Sequence, residues 1–80
     1  MIRPESQEFD EIRRVVAARL REFRQVRGIS QEELADLAGC HRTYVGMLER
    51  RLGNPSLKIL TRIALALNLQ VRDLLGPDTA

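Results

Sequence analysis

Apolar residues recur at every third or fourth position through most of this chain, and the polar residues between them carry the signals of helix ends. From about Gln7 to Arg27, the positions Phe9, Ile12, Val16, Leu20, Phe23 and Val26 mark one face of a long amphipathic helix that stops at Gly28. Ser30 is placed to cap a second helix, with Glu33 three residues on to close a capping box. Leu34, Ala35 and Leu37-Ala38 supply its apolar stripe, and Gly39 sits where the exit needs positive φ. Val45 and Leu48 give a third helix, over about 41–51, a narrow buried seam. Arg42, Thr43, Gly46, Met47 and Arg50 are left facing outward. Asn54-Pro55-Ser56 is a turn followed by a cap, and Leu57, Leu60, Ile63, Ala64 and Leu67 form the stripe of a fourth helix ended by Asn68. Val71, Leu74 and Leu75 predict a short fifth helix that stops at Gly76-Pro77. No stretch alternates with period two for long enough to be a strand. The pattern therefore predicts a compact all-α fold of five helices, with a loose arm over residues 1–8, a domain over 9–75 and a flexible tail over 76–80.

Eighty residues make one domain with a thin core. An apolar content of 44% is too high for a disordered chain, and with two Phe, one Tyr and no Trp the core must be aliphatic. The net charge of +2 and pI near 9.3 point only weakly to nucleic acid. Distribution says more. Glu5, Glu8, Asp10 and Glu11 crowd the start, and Glu32, Glu33 and Asp36 load the second helix. Arg42, Arg50, Arg51, Lys58 and Arg62 carry residues 42–62, with Glu49 opposing. The global balance conceals a local basic surface.

The same residues exclude several classes. A single cysteine, Cys40, rules out an intrachain disulfide framework and suits a reducing cytoplasm. No apolar run approaches the ~18 residues of a membrane span, and the start is too acidic and polar for a secretory signal. His41 reads as the cap of the third helix, because no second His stands near it, and Cys40 reads as a small hydrophobe filling the turn. No nucleophilic triad, glycine-rich phosphate loop or paired-acid site is present. Neither catalysis, cofactor, metal nor small-molecule ligand is predicted. Arg42, by contrast, opens a helix against that helix's own dipole, at a cost of roughly 0.3–1 kcal/mol that an anion outside the fold would reverse. Gly46 costs about 1 kcal/mol relative to Ala inside a helix. Either a close approach of another molecule to the backbone or tight packing would account for it.

Gln31, Leu34-Ala35, Ala38-Gly39, Val45, Leu48-Glu49-Arg50 and Asn54-Pro55-Ser56-Leu57 together resemble the Cro/lambda-repressor-like helix-turn-helix family over about Ile12 to Leu75. Within it, His41-Arg42-Thr43-Tyr44-Val45-Gly46 is most similar to the small controller proteins of restriction–modification systems and related stand-alone regulators. One departure stands out. The family usually has Gly directly after the Glu-Arg of the third helix, whereas here Arg51-Leu52 follow and Gly53 comes later. That predicts a third helix half a turn longer or a rearranged exit.

The resemblance implies a sequence-specific regulator of transcription that binds double-stranded DNA as a homodimer. In it Arg42 and Thr43 enter the major groove and read base edges, and Met47, one turn further along, either touches bases through apolar contact or packs in part on the helix beside it. Gln31 becomes a phosphate clamp at the start of the second helix. Arg50, Arg51, Asn54, Ser56 and Lys58 surround the exit of the third helix as phosphate contacts. Tyr44 either presents its hydroxyl to a phosphate or lies on the domain edge. Arg24 and Glu49 become an internal ion pair between the first and third helices. The apolar end of the chain, Leu69, Val71, Leu74 and Leu75, is the expected dimer surface, with the extended first helix around Phe9 as its rival. An antitoxin or other protein-interaction module, whose DNA binding is autoregulatory, is the alternative function.

Overall fold

A computed structural model describes residues 4–76. Among them are five helices: α1 Pro4–Val26, α2 Gln31–Ala38, α3 Arg42–Glu49, α4 Leu57–Ala66 and α5 Val71–Leu75. α1 packs on α3 and α5, α2 on α3 and α4, and α4 on α5. The core is aliphatic. Leu20, Leu34, Val45, Ile63, Leu67 and Leu74 are fully buried at its centre.

The caps form as the local chemistry dictates. Ser30 accepts from the Glu33 N–H while the Glu33 side chain accepts from the Ser30 N–H, a reciprocal box that satisfies two orphan donors. Ser56 caps α4 through the Ile59 N–H at 3.1 Å. The His41 ring accepts from the Thr43 N–H at 3.1 Å and so caps α3.

One exit geometry recurs. After α1, α3 and α4 a residue in the left-handed conformation lets the chain close a ring back onto the last helical turn: Gly28 (φ 66°), Arg51 (φ 61°) and Asn68 (φ 62°). The Leu52 N–H reaches the Met47 carbonyl at 2.8 Å and the Leu69 N–H reaches Ala64 at 2.8 Å, the pairing of a Schellman motif. Gly39 (φ 71°) serves α2, where the Cys40 N–H meets the Ala35 carbonyl. The position where the family pattern has glycine is thus held in the left-handed region by Arg51. α3 does not run longer. It ends at Glu49, with His41 and Arg50 as caps rather than helical residues.

Several expectations are corrected. Residues 4–8, expected in a loose arm, belong to α1, because Pro4 has no N–H to lose at a first helical turn and Glu5 suits the positive end of the dipole. Residues 1–3, and the tail beyond Gly76, lie outside the described residues. Val26, Leu37 and Leu57 were expected in buried stripes and are exposed. Ile29, just past the α1 turn, packs on the core instead of Val26. Leu37 lies off the line through Leu34, Ala35 and Ala38. Leu57 occupies the first position of α4, a turn before its buried run begins at Leu60.

Leu74 is also corrected. It has no exposed surface and completes the monomer core where α5 meets α1 and α4, so it is closed to a partner subunit. Leu69 and Val71 are half-buried against the same core, and Leu75 alone of the four is exposed.

Candidate nucleic-acid interface

The inner side of α3 is locked. Val45 and Leu48 are buried, and Glu49, only 4% exposed, places its carboxylate against α1. Arg24 meets it with both arms of its fork, Nε to Oε2 at 2.7 Å and an Nη to Oε1 at 3.0 Å. Gln31 Nε2 adds a third bond to Oε1 at 3.1 Å. Arg24 also donates to the Ile29 carbonyl at 2.9 Å, and Arg21 donates to the Glu49 backbone carbonyl. Burial alone would raise the Glu49 carboxyl. The hydrogen bonds from Arg24 and Gln31, with the charges of Arg24 and Arg21, outweigh it and hold the group below its ordinary value. A buried carboxylate is tolerable only when paired this fully.

The outer side is open. Arg42 and Thr43 are exposed at the start of α3. Arg42 has a partner that periodicity did not reveal: Glu32, on the first turn of α2, lies 3.4 Å from its guanidinium. Both side chains are about two-thirds exposed (68% and 66%), so the pair partly offsets the dipole cost without covering the arginine. Thr43 Oγ1 lies 2.6 Å from His41 Nδ1. Because Nδ1 already accepts from the Thr43 N–H, the ring proton belongs on Nε2 and the hydroxyl donates to Nδ1. Its lone pairs and its methyl are then what Thr43 offers to solvent.

Gln31, Arg42, Thr43, Gly46 and Arg50 line an open hollow of about 390 Å³ between the start of α2 and the outer side of α3. Arg50 folds back so that its Nε donates to the Gly46 carbonyl at 3.3 Å. Gln31 is half-buried, its amide tied to Glu49. Since that carboxylate only accepts, the amide nitrogen must face it, and Gln31 Oε1 is left beside Gly46.

Met47 is half-buried, unlike Arg42 and Thr43, and shares an apolar crevice of about 40 Å³ with Tyr44, Leu48, Leu52, Gly53, Asn54 and Pro55. Its terminal methyl lies 2.9 Å from where a Cβ on Gly53 would stand, so a side chain there would push that methyl aside, and the φ of 79° strains any residue but glycine. Tyr44 lines the same crevice and remains partly exposed. Arg51 and Asn54 are exposed beside it, while Ser56 spends its hydroxyl as the α4 cap and Lys58 is exposed on α4. The predicted phosphate contacts are therefore divided: Gln31 and Arg50 meet in the hollow, and the others flank the α3–α4 turn.

Residues 20–74 match the helix-turn-helix family pattern. The chain belongs to that family, in its Cro/lambda-repressor-like branch. It is 42% identical over 67 residues to the control protein C.SmaI of Serratia marcescens, an alignment covering 84% of this chain and 80% of that protein. It is similar to the crystal structure of the restriction–modification controller protein C.AhdI from Aeromonas hydrophila, with a TM-score of 0.72 at 43% identity over 79% of this chain and 92% of that one. The N-terminal DNA-binding domain of SinR from Bacillus subtilis superposes with a TM-score of 0.75 at 31% identity, over 82% and 97% of the two chains. The family is one of DNA-binding transcription regulators, and the bihelical unit that defines it is α2–α3. Among the described residues no helix is long and apolar enough to cross a membrane.

Proposed function

We propose that this protein regulates transcription as a homodimer on a two-fold symmetric DNA operator, in the manner of the controller proteins it resembles. The observation that carries this reading is the division of α3 into a locked inner side and an open outer side. Arg42 and Thr43 stand exposed at the outer side's start, and Arg50 and Arg51 follow at its end. Arg42 suits the O6 and N7 of guanine, and Thr43, whose hydroxyl oxygen is left to accept, suits a base amino group or a thymine methyl. Gln31, Arg50, Arg51, Asn54 and Lys58 set the register against phosphates.

One short helix supplies few base contacts, so a second copy would double them, with half-sites about one helical turn (~34 Å) apart. Leu75 and Leu65, both exposed, with half-buried Leu69 and Val71, are apolar residues towards the chain end available for such an interface. Selection of binding sites from random duplexes at two salt concentrations tests the reading. The expected product is an inverted repeat bound with a steep salt dependence, about 0.9 in log–log slope per phosphate engaged. Recovery of no preferred sequence, or of a single asymmetric site bound by one subunit, would overturn it.

A further inference from the structure

Gly46 lies in the interior of α3, where glycine weakens a helix and alanine strengthens it. Two needs could account for it: a fold that has no room for a side chain, or a surface that must stay bare. The structure separates them. A Cβ built on Gly46 would meet nothing nearer than Gln31 Oε1 at 3.6 Å, an ordinary contact with the end of a flexible side chain. Gly53 in the same region differs on both counts: a Cβ there would have to displace the Met47 methyl at 2.9 Å, and its φ of 79° strains any L side chain. Nor does φ at Gly46 fall in the left-handed region, which Gly28, Gly39 and Gly53 all occupy. Alanine fits Gly46 in both space and backbone.

What a methyl at Gly46 would change is the outside. The residue contributes to the hollow lined by Gln31, Arg42, Thr43 and Arg50. Resting on the DNA-binding reading above, we infer that Gly46 is a specificity-determining position: its bare Cα lets the edge of a base pair come against the backbone of α3. That approach brings Arg42 and Thr43 within bonding range of their bases. A methyl there would hold the helix off the groove floor. Base contacts, which depend steeply on distance, would suffer, while the long side chains on phosphates would adjust. Loss should therefore fall on specific binding and spare non-specific binding.

The test is Gly46→Ala, measured by thermal unfolding and by titration of the intact protein onto two duplexes of equal length, one carrying the selected operator and one of unrelated sequence. The expected result is a Tm equal to or above wild type, operator affinity reduced about tenfold or more, and unrelated-duplex affinity essentially unchanged. Gly46→Ser, with a similar Cβ, should behave alike. A lowered Tm would return the glycine to the fold and overturn the inference. So would undiminished operator affinity, or equal losses on both duplexes. If wild type itself prefers no sequence, the DNA-reading function fails first, and that outcome is distinguishable because it is seen before any substitution.

Discussion

The two sides of α3 are made from eight consecutive residues and differ in almost everything else. On the inner side Val45 and Leu48 are sealed in the core and Glu49 is held by Arg24 and Gln31. On the outer side Arg42 is tied to another element through a mutually exposed pair with Glu32. The difference teaches that stability and recognition are carried by different residues within a single short helix. Substitutions on one side should register in unfolding, and those on the other in binding.

The largest effect should come from the inner side. Arg24→Ala leaves the Glu49 carboxylate buried without its bidentate partner and should cost about 3–5 kcal/mol in urea denaturation. The molecules that remain folded should keep their operator affinity. A variant with wild-type stability but impaired binding would reverse the assignment of that side.

Arg42→Ala is the counterpart on the outer side. It should cost roughly 1–3 kcal/mol of operator affinity and relax the preference at one base position, with the urea midpoint unmoved or slightly raised as the dipole cost is relieved. If preference is kept at every position, Arg42 does not read bases.

Arg51→Gly sharpens the comparison where the two sides meet at the helix exit. A non-glycine residue in the left-handed region is strained by about 1–2 kcal/mol, so the glycine variant should unfold later by up to that amount. If Arg51 also grips a phosphate, the same variant should bind less tightly, with the salt slope reduced by about one. A more stable protein with an unchanged salt slope would remove Arg51 from the interface.

The smallest effect is pH-dependent. Because the Glu49 carboxyl is lower in the folded state than in the unfolded chain, its stabilisation is complete above the unfolded value. It is lost as pH falls through the folded one. The stability gap between wild type and Glu49→Gln, followed by urea midpoints from neutral pH down through the carboxylate range, should therefore narrow towards acid. A constant gap would mean that the ion pair contributes nothing beyond shape.

Features written in a few adjacent residues were legible in the sequence. Ser30 with Glu33, Ser56, Gly39 and Asn68 declare their caps locally, and the three-to-four spacing of Leu60, Ile63, Ala64 and Leu67 declares a buried face. Periodicity cannot say where a neighbouring helix stops, so Val26 and Leu57 were assigned to a core that does not reach them. Nor can it say which way a short helix turns, so Leu74 was assigned to a partner subunit. The ties from Gln31 to Glu49 and from Glu32 to Arg42 cross 18 and 10 residues and need the tertiary fold to appear. Acids on the first turn of α2 beside a cation opening α3 were the one available hint of the second tie. The left-handed Arg51 was visible only as an anomaly, a missing glycine whose geometry the chain retains.

The enclosure of Leu74 within its own chain bears on dosage. A subunit that finishes its core alone can persist folded at low abundance and pair only when copies become plentiful. Under the homodimer reading, occupancy of an operator at scarce protein would then grow as the square of concentration, so that a modest rise in synthesis is translated into a sharp onset of control.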